Sequence, residues 1–228
     1  MAEHDEWKSV HKVACELFGV KETEVKFPVK ESKSFTLVPA GNHIAICVNV
    51  IDLGVQNSGE FGPKHQIYLG FELPTEQMTY TKDDKEVTGP MMSGNSYTAS
   101  MHEKANLRKF MESWRGQRFT DAQASEFEFG KLLGVKCLLN IGEYTNKAGE
   151  VRTGIVSASP VPKGMPSDFT QHNKSLFFEI DEWDEEVFQS LPEWLRKKID
   201  GRVREQEQQD SVEPEYDPEP FDDSPIPF

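Results

Sequence analysis

The sequence predicts a mainly β protein: a five-stranded barrel with one helix between strands three and four, flanking helices, and an acidic C-terminal tail. Three observations carry that expectation. Period-two alternation governs residues 35–73 and returns over 135–161, apolar residues fall at helical spacing between those blocks, and the charge balance changes abruptly after Gly164.

The first barrel strand is read from SFTLVPAGNHIAICVNVIDLGVQ, long and rich in β-branched residues, with Pro39 and Gly41 placed where a strand bends. The turn-rich loop QNSGEFGPK follows, then HQIYLGFELP. In that second strand Ile67, Leu69, Phe71 and Leu73 share one face and Tyr68, Gly70 and Glu72 the other, as half-buried antiparallel strands require. The polar stretch TKDDKEVTGPMMSGN reads as turns, with a short third strand around Ser96–Met101. Ala105, Leu107, Phe110, Met111 and Trp114 then fall at helical spacing, and the helix stops at Gly116. Phe127, Phe129, Leu132 and Leu133 form a further apolar patch. VKCLLNIGEYT and EVRTGIVSASPV, joined by NKAG, make the closing hairpin. Three strands, a helix and two strands, with a long bent first strand, is the order of the OB-fold, a partly open five-stranded barrel.

Outside the barrel, Trp7, Val10, Ala14, Leu17 and Phe18 predict an amphipathic helix within residues 1–25. The barrel is assigned to 26–163 and a linker with a short helix to 164–204. There Val187, Leu191, Trp194, Leu195 and Ile199 cover an apolar surface, on the barrel itself or on a second copy in a homo-oligomer, and Pro192 sits near the helix start. Residues 205–228 hold nine acids, five prolines and no lysine or arginine, the composition of a disordered tail.

Charge decides between function classes once it is located. The 228 residues carry a formal net charge of -14, which read as a whole argues against a nucleic-acid binder. Residues 1–163, however, hold 19 basic and 21 acidic side chains, and residues 164–228 hold 6 and 18. Residues 101–163 are net +3. No apolar run approaches a membrane span, and the acidic, polar start MAEHDEWKSV is unlike a signal or transit peptide. Cys15, Cys47 and Cys137 are dispersed and odd in number, which suggests free thiols in a reducing cytoplasm. There is no CxxC, HExxH, GxxxxGK[ST] or GxSxG, and Asp52, Glu72 and Glu143 are not spaced as a two-metal site. Neither catalysis nor a metal or cofactor is expected.

The final residues FDDSPIPF are the most specific signal. A terminal Phe with a free carboxylate is an anchor: Ile226, Pro227 and Phe228 offer an apolar group, and Asp222 and Asp223 meet a basic rim. The segment resembles the C-terminal tip of bacterial single-stranded DNA-binding proteins, in which Asp residues precede Ile-Pro-Phe. Here Ser224 and Pro225 interrupt the acidic run. That resemblance implies docking of replication and repair enzymes.

The body carries a second resemblance. SYTASMHEKANLRKFMESWRGQRFT, GKLLGVKCLLNIGEYTNKAGEVRTGIVSASPVPKG and LPEWLRKKI are similar to phage replication-associated single-stranded DNA-binding proteins, over roughly residues 30–200. It implies an OB-type body that binds single strands without sequence preference, in the host-cell cytoplasm during phage replication and recombination. Residues 1–25 are not covered by it.

Such binding needs a basic groove for phosphates and aromatic faces for bases. The candidate platforms are Tyr68, Tyr97 and Tyr144. The candidate phosphate ligands are Lys64, Arg108, Lys109, Arg115, Arg118, Lys131, Lys136, Lys147 and Arg152, with Phe61 a weaker platform. Gly70 beside Tyr68 allows a base or backbone to approach closely. Trp114, Phe110, Phe127 and Phe129 fit the core better than a platform. The polyanionic tail is expected to compete with DNA for the groove, most strongly at low salt. The rival reading is a protein-interaction module whose acidic tail mimics DNA. It gains if the basic and aromatic residues fail to converge in one groove.

Overall fold

A computed structural model describes residues 36–59, 62–82, 85–166 and 168–203. The expected N-terminal helix, the tail from 205 and Phe61 lie outside the described residues.

Six strands form one sheet: β1 (Gly41–Asn57), β2 (Pro63–Lys82), β3 (Lys85–Thr98), β4 (Lys136–Thr145), β5 (Val151–Ser159) and the short β6 (Leu176–Phe178). The first five are antiparallel in the order β3-β2-β1-β4-β5, curled into an open half-barrel. β1 makes the curl possible by changing partners on one edge. Its first half, Gly41–Ile46, pairs with β4, while Asn49–Ile51 pairs in parallel with β6. Its other edge holds β2 from Ile46 to Asn57, with register shifts at Cys47/Asn49 and Asp52/Gly54 that increase the local twist. At the second shift Gly54 has φ 66°, open to glycine, and its N–H donates to Asp52 Oδ1 at 2.7 Å.

β1 reads as a nearly unbroken apolar run because it is buried on both faces. On one side Ala45, Cys47 and Val50 join Leu69, Phe71, Leu73, Leu139 and Ile141. That core is closed by α1 (Asn106–Arg115), which lies in sequence between β3 and β4 and inserts Leu107, Phe110, Met111 and Trp114. Gly116 ends the helix in the left-handed region at φ 72°. A short α2 (Asp121–Ser125) follows, started by a Thr120–Gln123 capping box, and then a 3₁₀ turn, Phe129–Leu132.

On the opposite side Ile51, Leu53 and Tyr68 meet Phe178, Phe188, Leu191, Leu195 and Ile199. The last four come from α3 (Glu185–Ser190), Leu191 and α4 (Glu193–Asp200). The expected apolar face of 187–199 therefore covers the chain's own sheet, as two helices broken before Pro192. Each fully buried side chain contributes about 1.5–3 kcal/mol. Glu72, fully buried, pins the preceding loop. Its carboxylate accepts from the His172 N–H (2.7 Å), the Asn173 N–H (2.8 Å) and Asn173 Nδ2 (2.9 Å).

One expectation is corrected. The stretch read as turns, TKDDKEVTGPMMSGN, lies mostly in an extended hairpin, so β2 and β3 reach Lys82 and Lys85, and β3 ends at Thr98. Much of this arm is exposed and polar, so no apolar alternation marks it. Cross-strand pairs such as Thr79 Oγ1 to Thr88 Oγ1 (3.0 Å) join its strands instead.

Candidate nucleic-acid interface

The open side of the half-barrel, between β3 and β5, is a cleft. At one end a cavity of about 600 Å³ is lined by Lys64 and Gln66 of β2, Asn95 and Tyr97 of β3, and Lys104 and Asn106 before and at the start of α1. A second cavity of about 280 Å³ shares Asn95, Tyr97 and Asn106 and continues past Lys109 to Val156 and Ser157 of β5. Tyr97 lies at the floor, its ring stacked on Phe110 with centroids 5.0 Å apart. Burial, chiefly, pushes its hydroxyl pKa up to about 12, so Tyr97 is a neutral hydrogen-bonding phenol at physiological pH.

Beyond Val156 the outer surface of the β4–β5 hairpin continues the path. Val156 leans over Gly142, and the ring of Tyr144 lies against Gly154, where a Cβ would fall 3.2 Å from its Cε1. Tyr144 is 55% exposed, so one edge of its ring lies near the Gly154 backbone and much of the ring is open to stacking. Arg152 pairs with Tyr144 across the hairpin and bonds Glu150 at 2.6 Å, and Lys147 is exposed in the turn. Of the sequence-predicted residues, the fold thus sets Lys64, Tyr97 and Lys109 in one cleft, with Tyr144, Lys147 and Arg152 on the adjoining hairpin.

The remaining candidates go elsewhere. Arg108 is buried and fully engaged within the fold: Nε donates to Glu112 (3.1 Å), Nη1 to the Met101 carbonyl (3.1 Å) and Asp121 (3.2 Å), and Nη2 to the Phe119 carbonyl (2.8 Å). It clamps α1 to the following loop and presents no charge to a phosphate. The Phe119 N–H first, and Arg108 with it, hold the Glu112 carboxyl below the usual carboxylate range. Arg115, Lys131 and Lys136 surround a separate apolar pocket, and Arg118 is exposed near Glu112.

Tyr68 is corrected as well. It is 9% exposed, beneath Trp194 of α4. Gly70 and Gly94, paired across β2 and β3, accommodate its ring, and a Cβ at Gly94 would collide with its hydroxyl. The glycine next to Tyr68 makes room for the tyrosine and not for a base. Trp114, Phe110, Phe127 and Phe129 belong to the core or pack against it, as expected.

Sequence reasoning missed Asn95, Asn106 and Lys104, which line the cleft. Asn95 and Asn106 flank the β3–α1 connection, and only its folding brings them together. Of the carboxylates considered for metal binding, Asp52 bonds His65 Nε2 at 2.6 Å, Glu72 is the loop anchor and Glu143 is exposed. Among the described residues no group of three or more His, Cys, Asp or Glu converges, and no helix is long and apolar enough to cross a membrane. No family model matches the chain, and no curated protein matches it.

Proposed function

We propose that this chain binds single-stranded DNA without sequence preference through the β3–β5 cleft and the outer face of the β4–β5 hairpin, on an OB-type barrel. The observation that carries the reading is a polar, lysine-bearing cleft adjoining a hairpin that bears an exposed tyrosine ring beside a glycine. Lys64, Lys104 and Lys109 meet phosphates, Tyr144 stacks a base, and Arg152 and Lys147 follow the strand along the hairpin. The strand order and the resemblance of the body to phage replication-associated single-stranded DNA-binding proteins support the same assignment. The acidic tail ending in Phe228 recruits replication or recombination proteins and competes with DNA, in the cytoplasm of the host cell.

The test is fluorescence anisotropy with a labelled single strand of about thirty nucleotides and its duplex, at two salt concentrations. Single-strand preference that weakens with salt supports the reading. Absence of binding by both the full chain and a chain ending at Glu205 removes it.

One observation favours a second reading. Arg115, Lys131 and Lys136 surround an apolar pocket in place of joining the cleft, as a surface that receives a protein segment would arrange them. A protein-interaction module that does not bind DNA is the alternative.

A further inference from the structure

The pocket that drew three of the basic residues away from the cleft has its own chemistry. It is open, has a volume of about 410 Å³, and lies among α1, the 3₁₀ turn and the segment after β5. Trp114, Phe119 and Leu132 are its buried apolar floor, and Val135, 41% exposed, stands at its mouth. Among the described residues, Arg115, Lys131 and Lys136 are the charged ones that line it. Arg115 lies over the Phe119 ring at 4.9 Å, and Lys131 bonds Glu128 at 3.1 Å on the exposed surface. A nucleic acid is a poor occupant of so apolar a floor. A short segment with an apolar end and several negative charges is a good one.

The same chain carries that segment. Asp222 and Asp223 supply negative charge, and Ile226, Pro227 and Phe228 supply an apolar group. We infer that the pocket is a docking site for the chain's own C-terminal tip. The Phe228 ring sits on Trp114 and Leu132, and Asp222 and Asp223 meet Arg115 and Lys131, whose pairing with Glu128 is exposed and weak. Reach is sufficient. Val203, whose N–H donates to the Val55 carbonyl at 2.8 Å, is followed by 19 residues through Asp222. At about 3.3 Å per residue these span about 60 Å, against a radius of gyration of about 15 Å for a body of this size.

The inference deepens the proposed function, in that it takes the tip to be a docking segment. It gives the tip a resting site outside the DNA cleft, for which a partner enzyme competes, and leaves competition with DNA to the acidic run that precedes the tip.

The test uses the full chain carrying Phe228→Ala, with a labelled peptide of residues 220–228 as probe, followed by anisotropy. Binding is expected to weaken about tenfold in chains that also carry Arg115→Glu with Lys131→Glu. Val135→Glu, which sets a carboxylate at the mouth, weakens it similarly, whereas Val135→Lys retains it and so reports that substitution there leaves the chain folded. The wild-type chain, its site filled in cis, binds the peptide at least about tenfold more weakly than the Phe228→Ala chain. Three results overturn the inference: no binding at about 1 mM peptide, binding indifferent to the Arg115 and Lys131 reversals, or equal binding by the wild-type chain. Loss on Lys109→Glu in place of those reversals moves the tip into the DNA cleft. Single-strand binding is measured separately, so failure here leaves that reading standing.

Discussion

The indole of Trp194 stands edge-on over the ring of Tyr68, with centroids 5.1 Å apart and planes at 83°. The pair joins α4 to the middle of β2 and defines what the C-terminal helices do: they close one face of the sheet. Beside it Lys198 Nζ donates to Ser96 Oγ of β3 at 3.0 Å, and Gln56 Nε2 donates to the Lys198 carbonyl at 3.0 Å. Residues 176–203 are thus part of the folded body.

Trp194→Ala is expected to destabilise the chain by about 1–2 kcal/mol, the worth of an edge-to-face pair plus a half-buried indole. Urea unfolding followed by circular dichroism measures it. Single-strand affinity should stay within about twofold, because the tyrosine it uncovers is not among the bases' partners. A large gain in affinity would instead make the Tyr68 face the binding surface and α4 its cover.

Gly94→Ala tests the same packing from below. The added methyl meets the Tyr68 hydroxyl and ring, and Trp194 packs edge-on against that ring. A loss of about 1–3 kcal/mol is expected from overpacking, against a few tenths of a kcal/mol for Ala at an exposed strand position. The double variant Gly94→Ala, Tyr68→Phe should recover part of it. Equal stability of Gly94→Ala and the wild type would contradict the contact.

Legibility in the sequence followed burial. β1 was readable as a long β-branched, apolar run, and α1 and the β4–β5 hairpin because their apolar residues recur at three and four or at two, with Gly116 and NKAG to punctuate them. The β2–β3 arm was not, because its backbone pairing leaves no hydrophobic signature when much of the arm faces water. β6, three residues long, is set by its pairing with Asn49–Ile51 and has too short a pattern to see. For the site, alternation placed Tyr68 and Leu69 on opposite faces correctly. What alternation cannot say is that the second face is covered by a segment more than a hundred residues later. Arg108 failed for a related reason: its charge was visible, but the carbonyls of Met101 and Phe119 that absorb it appear only when the loop folds over the helix.

Arg108→Ala is therefore expected to act on stability. Two backbone carbonyls and Glu112 lose their donor together, and the unfolding midpoint should fall by about 5 °C or more, beyond the effect of Lys109→Ala. Differential scanning fluorimetry of both variants gives the comparison. A melting temperature unchanged in Arg108→Ala would return this residue to the candidate phosphate ligands.

Alkaline pH should weaken the fold ahead of ordinary surface titration. Cys47 and Cys137 are buried in the same core, and burial pushes the Cys47 thiol up to about 12 and the Cys137 thiol up as well. Both raise the folded pKa above the unfolded value. Stability from keeping them neutral is thus fully present below the unfolded thiol pKa of about 8.5 and is lost as pH rises from there towards the folded value. Each thiol adds a slope of about 1.4 kcal/mol per pH unit across that window. Urea unfolding at pH 8, 9 and 10 should show the decline, and Cys47→Ala should make it shallower. Equal slopes in the two chains would remove Cys47 as its source.

Under the proposed function, Tyr144 and Lys109 separate the two forces that would hold a single strand. Tyr144 is exposed, lies near Gly154 and makes no core contact, so Tyr144→Ala should leave stability within about 0.5 kcal/mol. Its loss removes one stacked base and should cost about 1–3 kcal/mol of affinity, with the salt dependence unchanged. Lys109 lines the cleft and is exposed, so Lys109→Ala should weaken binding less while lowering the slope of log K against log salt by about 0.7, one phosphate contact. Anisotropy titrations at four salt concentrations resolve the two signatures. If Tyr144→Ala changed the slope and left low-salt affinity intact, the ring would be no platform, and the β4–β5 hairpin would serve DNA through charge alone.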